Sequence, residues 1–256
     1  MTGSDMRILL VNDDGIDARG ISVLEQIALS LSSDVYVVAP ASQHSGAGHS
    51  FTLSRPLAVR RRDDRHFAVD GTPTDCVLFA CRELLADKKP DLILSGINIG
   101  ANFGSDITYS GTVGAAIEGT LQGIRSIALS LYVKDFGKPA LWRSPLAHGA
   151  EIIQKLCAMT WAENMLMNVN FPDVEPQKVT GVKAVPLGYC KIGNTLDMRK
   201  NYAGQPYFWI VPTRETNPEE CATDIREVCD NQAVTVTPIS LDLTHAAMLE
   251  ALRGVF

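Results

Sequence analysis

The sequence predicts an α/β fold, a Rossmann-like parallel sheet flanked by helices. Three observations carry that reading. Short apolar runs alternate with stretches of helical period, and each apolar run leaves through polar residues and glycine. Over 256 residues the chain is 46% hydrophobic and 20% charged, the composition of a protein that buries a core.

The first element is Ile8–Val11, a continuous apolar run that exits through Asn12-Asp13-Asp14-Gly15, as a buried parallel strand does. Residues 20–31 then place Ile21, Leu24, Ile27, Ala28 and Leu31 at helical spacing, and 35–39 form a second buried strand closed by Pro40. A β-hairpin over 57–62 and 66–69 turns at Asp63-Asp64. Thr72-Pro73-Thr74-Asp75 opens a helix: Thr72 as cap, Pro73 at the first helical position, Asp75 as the capping-box acceptor. A third buried strand is predicted over 91–95, a helix rich in small residues over 110–123, and a fourth strand over 126–131. A helix over 145–159 and a strand over 166–171 follow, the strand alternating Met167, Val169 and Phe171 with Asn168 and Asn170. Beyond Pro172 the helices drop out. Residues 179–187, 207–211 and 234–238 read as strands, the first two antiparallel in appearance, before a closing helix over 245–253. The chain thus divides into an α/β core, 6–172, and a β-rich extension with its helix, 173–256, integral to the same domain.

Charge and cysteine usage exclude several classes. A formal net charge of −6 argues against a stable nucleic-acid partner. The polar start, 1–5, and the brief apolar run after it make neither a signal peptide nor a membrane span. Cys76, Cys81, Cys157, Cys190, Cys221 and Cys229 contain no C-x-x-C pair, so reduced thiols and a cytoplasmic location are expected.

In open parallel sheets, ligands bind outside the carboxyl ends of the strands. Here those ends are Asn12-Asp13-Asp14-Gly15, the second loop Ser42-Gln43-His44-Ser45-Gly46-Ala47-Gly48-His49-Ser50, and Ser95-Gly96-Ile97-Asn98-Ile99-Gly100-Ala101-Asn102. Adjacent carboxylates repel unless a cation lies between them, and carboxylates joined by hydroxyl and amide oxygens suit Mg²⁺ or Mn²⁺. Asp13 and Asp14 reach one ion only if the backbone turns sharply, which Gly15 permits. Ser110-Gly111-Thr112 opens a helix, where free N–H groups and the dipole attract anions, and Asn102 can donate to a phosphate oxygen. His44 and His49 read as solvated loop residues, and the run from Arg60 to Asp64 as a solvated face. The first turn lacks G-x-G-x-x-G, which counts against a dinucleotide fold. An aspartyl-nucleophile phosphatase would want Asp-x-Asp after the first strand. A Mg²⁺-binding, non-enzymatic module of receiver type would want Asp where Ser95 and Asn98 stand.

With those residues in view the chain resembles the SurE family, the survival-protein nucleotidases. The resemblance rests on RILLVNDDG (Arg7 to Gly15), VAPASQHSGAGHS (Val38 to Ser50), GTPTDC (Gly71 to Cys76), SGINIG (Ser95 to Gly100) and YSGTVGAAIE (Tyr109 to Glu118), with a weaker echo in Thr235-Val236-Thr237-Pro238. It implies hydrolysis of nucleoside 5′- and 3′-monophosphates, with short polyphosphate as a further substrate. It also implies one divalent cation per subunit, Mg or Mn, on Asp13, Asp14, Ser45 and Asn98, with catalysis resting on the two aspartates. Asn102, Ser110, Gly111 and Thr112 would then hold phosphate. A homodimer or homotetramer that exchanges C-terminal elements is implied as well. Arg19 stands where the family usually has Pro, and Ile99 replaces a smaller residue.

Overall fold

Local chemistry accounts for the elements one by one. In chain order they are β1 (Ile8–Val11), α1 (Arg19–Leu29), β2 (Val35–Pro40), β3 (Val59–Arg61), β4 (His66–Val69), α2 (Pro73–Phe79), β5 (Leu92–Ile99), α3 (Gly111–Leu121), β6 (Arg125–Tyr132), α4 (Arg143–Ala158), β7 (Met165–Pro172), β8 (Val182–Ala184), β9 (Cys190–Ile192), β10 (Thr195–Lys200), β11 (Pro206–Val211), β12 (Arg214–Thr216), α5 (Asp224–Cys229), β13 (Val234–Ser240) and α6 (Ala246–Arg253). The computed structural model describes residues 6–192, 195–211, 214–216 and 222–256, so the polar start, 1–5, and Cys221 lie outside the described residues. The capping box at α2 is complete: Thr72 accepts from the Asp75 N–H, and Asp75 accepts from the Thr72 N–H.

Among the described residues nine strands form one sheet in the order β3-β4-β2-β1-β5-β6-β7-β13-β8. β1 pairs in parallel with β2 on one side and with β5 on the other, so the strand order reverses at β1. Its side chains alternate between two cores, as a strand's must. Ile8 and Leu10 pack with Leu24 and Ile27 of α1 and Ile153 of α4; Leu9 and Val11 pack with Cys76 and Val77 of α2. The result is three layers with helices on both faces. Cys76, Cys81 and Cys157 are free thiols.

Three departures from the sequence reading, and the burial of the polar residues of β7, have physical reasons. β5 continues to Ile99 instead of ending at Ser95, because after a register shift between Ser95 and Asn98 the strand keeps its partner β6. Ser95 is buried within the sheet, and its hydroxyl does not reach the edge. Asn168 and Asn170 are as buried as the apolar residues between them, since β7 is covered on both faces. Past Pro172 the chain returns to the main sheet: β13 lies antiparallel to β7, and β8 runs parallel to β13. Only β10 with β11, and β9 with β12, form separate antiparallel pairs.

Candidate active site

The reversal of strand order at β1 opens a crevice between the chains leaving β1, β2 and β5, the place where α/β sheets bind ligands. Within it lies a cleft of about 230 Å³ lined by Asp13, Asp14, Ser45, Asn98, Asn102 and Ser110, with Gln43, Asp106, Tyr109 and Phe136 beside them. Two larger hollows lie elsewhere. One, lined by Met6, Asp91 and Arg125, is at the opposite edge of the sheet; the other, lined by Val185, Leu187 and Pro238, is largely apolar. Neither gathers paired carboxylates with neutral oxygen donors.

The Asp13-Asp14 turn is held from several sides. Asn12 Nδ2 donates to the Gly15 carbonyl at 2.8 Å, and Gly15 adopts φ +101°, a left-handed conformation open to glycine. The His44 N–H donates to the Asp13 carbonyl at 2.8 Å, tying the second loop to the first. Asp13 is buried, and Thr112 Oγ1 donates to its Oδ1 at 2.6 Å. A side chain at Gly111 would come within 2.9 Å of Asp13 Cβ, so only glycine lets α3 start this close to the turn. Asp14 is half-buried and accepts from the Ile99 N–H at 3.2 Å, which places it beside the extended end of β5.

The neutral donors are oriented as well. Asn98 Nδ2 donates to the Gly100 carbonyl at 2.7 Å, which leaves Oδ1 as its open atom. Gln43 Nε2 donates to Ser45 Oγ at 2.9 Å. Asn102 is set by a buried polar network. Its N–H donates to Asn170 Oδ1, its Nδ2 to Ser130 Oγ, and its carbonyl accepts from both Asn168 and Asn170. Ser110 is the N-cap of α3, accepting from the Val113 N–H at 3.0 Å, so its hydroxyl proton is left to donate.

The electrostatics follow from burial. Desolvation pushes the Asp13 carboxyl up, against the hydrogen bond from Thr112. Asp14 is pushed up to about 6, first by desolvation and then by the charge of Asp13. No Lys or Arg is among the described residues lining the cleft. Two carboxylates without a cationic side chain, joined by a hydroxyl and an amide oxygen, fit a hard divalent cation.

Of the residues expected from the sequence, six line the cleft and two do not. Gly111 works by closeness to Asp13. Thr112 is fully buried with its hydroxyl committed to Asp13, so it supports a carboxylate and does not face a phosphate. His49 is not a solvated loop residue: its Nε2 pairs with buried Glu118 Oε2 at 3.0 Å, fastening the second loop to α3. Gln43, Asp106, Tyr109 and Phe136 were missed. Tyr109 immediately precedes Ser110 and Asp106 lies four residues before it, and that proximity was the available signal; Phe136 has none, because the loop after β6 carries no motif.

A parallel sheet whose switch-point crevice gathers two carboxylates, oriented neutral oxygens and a helix N-terminus defines a Rossmann-like α/β protein with an oxygen-lined cleft. The sequence profile described as survival protein SurE matches residues 8–194, and this chain belongs to the SurE family. Relatives named 5′-nucleotidase SurE include those of Paramagnetospirillum magneticum, 49% identical over 99% of this chain and 96% of theirs, and Brucella canis, 48% identical over 93% and 94%. The crystal structure of the SurE protein from Aquifex aeolicus superposes with a TM-score of 0.83 at 37% identity, covering 97% of this chain and 99% of that one.

Proposed function

We propose that this chain is a divalent-metal-dependent phosphomonoesterase that hydrolyses nucleoside 5′- and 3′-monophosphates to nucleoside and phosphate, with short-chain polyphosphate as a further substrate. The observation that carries the reading is the pair Asp13 and Asp14 facing one cleft with the open Oδ1 of Asn98. Asp13, Asp14, Ser45 and Asn98 are the proposed ligands of one Mg²⁺ or Mn²⁺ per subunit. Such a cation supplies charge to polarise the phosphoryl oxygen and to acidify the attacking water.

The remaining steps fall to the chain itself. Asp13 and Asp14 are the groups placed to take the proton that the water loses. The Ser110 hydroxyl and the Asn102 amide face the phosphoryl oxygens on which charge develops. Thr112 acts through Asp13, as a positioning residue. A receiver-type module is less well supported, since Ser95 is buried and Asn98 cannot be phosphorylated as Asp is.

We further propose that residues 6–172 carry the chemistry, and that 173–256 serve a homodimer or homotetramer in the cytoplasm. Exposed Leu196, Phe208, Trp209 and Ile210 on the β10–β11 hairpin support the association. No described helix is long and apolar enough to cross a membrane. The test of the activity is phosphate release from a panel of nucleoside 5′- and 3′-monophosphates, with Mn²⁺ or Mg²⁺ and with a chelator. Chelator-sensitive turnover that falls about 100-fold or more in Asp14→Asn is expected. Metal-independent turnover, or a variant as active as wild type, would overturn the reading.

A further inference from the structure

We infer that Phe136 forms a stacking platform for the nucleobase of the substrate, at the rim of the cleft whose floor holds Asp13 and Asp14; this rests on the nucleotidase reading. The floor is polar, and part of the rim is apolar. Phe136 is 65% exposed, Tyr109 48% and Ile99 40%, and all three border the same cleft. Single apolar side chains on a surface need no explanation. Three large ones grouped around one polar cleft leave apolar area in water that a flat, weakly hydrated ligand face would cover.

The spacing suits a nucleotide. A methyl group at Gly100 would lie 3.6 Å from Phe136 Cζ and 3.9 Å from Asn98 Nδ2. The aromatic ring and the Asn98 amide therefore flank the same glycine, one over the rim and the other at the floor. In a nucleoside monophosphate a single ribose separates base from phosphate, so a phosphate on the floor sets its base near the rim. Phe136 comes from the loop between β6 and α4, which contributes nothing else to the cleft. Its ring is thus a separate part, serving the half of the substrate that the carboxylates do not touch. Every base has a π-face, so such a platform favours nucleotides over base-free phosphate esters and discriminates weakly among bases.

The test compares kcat/KM for adenosine 5′-monophosphate and for ribose 5-phosphate, at saturating Mn²⁺, in wild type, Phe136→Ala and Phe136→Tyr. Wild type is expected to prefer the nucleotide. In Phe136→Ala that preference falls about tenfold, chiefly through KM for the nucleotide, and Phe136→Tyr retains it. A wild type that prefers the nucleotide, with the preference intact in Phe136→Ala, overturns the platform alone. Equal use of both esters by wild type also overturns it. A wild type that cleaves neither overturns the nucleotidase reading and the platform with it.

Discussion

Thr112 Oγ1 donates to Asp13 Oδ1 at 2.6 Å, joining the first turn of α3 to the end of β1 across the floor of the cleft. Both residues are buried, so the bond is made without competition from water. Residues that hold a metal ligand in place commonly change metal affinity by ten- to a hundredfold. Thr112→Val keeps the shape and removes the donor. The Mn²⁺ concentration for half-maximal activity is expected to rise about tenfold, which a metal titration of phosphate release measures. An unchanged midpoint would reduce Thr112 to a packing residue.

Asp14 makes the metal-free protein less stable at neutral pH. Its carboxyl is pushed up to about 6 in the folded chain, above the ordinary 3.8, so between those values the folded state holds a proton that the unfolded state has released. Stability from this group is therefore lost as pH rises between those values. Asp14→Asn is expected to raise the melting temperature of chelator-treated protein at pH 7.5 by several degrees, on the order of 1–3 kcal/mol. At pH 4 the two proteins should melt nearly together. Scanning calorimetry at both pH values checks the sign.

Protons and a divalent cation compete for the same carboxylate oxygens. The rise in melting temperature on adding a fixed concentration of Mn²⁺ is therefore expected to be small at pH 5 and to grow toward pH 7.5. A rise independent of pH would place the bound cation away from Asp13 and Asp14.

Glu118 fastens the second loop from beneath. Burial pushes its carboxyl up, yet hydrogen bonds from His49 and Gln122 outweigh that and hold it below the usual value. Its contribution is present above the unfolded pKa and is lost as pH falls through the folded one. Glu118→Gln is expected to cost about 1–2 kcal/mol at pH 7, read from urea titration, and the gap should narrow by pH 3.5.

What the sequence made legible follows from how local each signal is. The α2 capping box, the Asp13-Asp14-Gly15 turn and the buried strands are written in neighbouring residues, and each was found where expected. The continuation of β5 to Ile99 depends on β6, thirty residues on, and no pattern within 91–99 announces it. The alternation of Asn168 and Asn170 with apolar residues says nothing of their surroundings, because it reads the same whether the polar side meets water or another polar group. Their partner is Asn102, on a loop more than sixty residues away. Thr112 had the right residue type for two roles, and only the distance to Asp13 separates them. Phe136 could not be singled out, since an exposed aromatic in a loop acquires meaning only from what it borders.

Asp13, Ser45, Asn98 and Ser110 come to the cleft from four separate stretches of chain, after β1, after β2, at the end of β5 and ahead of α3. The last of them leaves the ribosome well after the first. A nascent chain that has emerged only through β4 carries Asp13 and Asp14 but neither Asn98 nor the start of α3. Synthesis order therefore withholds the assembled cleft until the centre of the sheet can close, and turnover, once it begins, reports that closure.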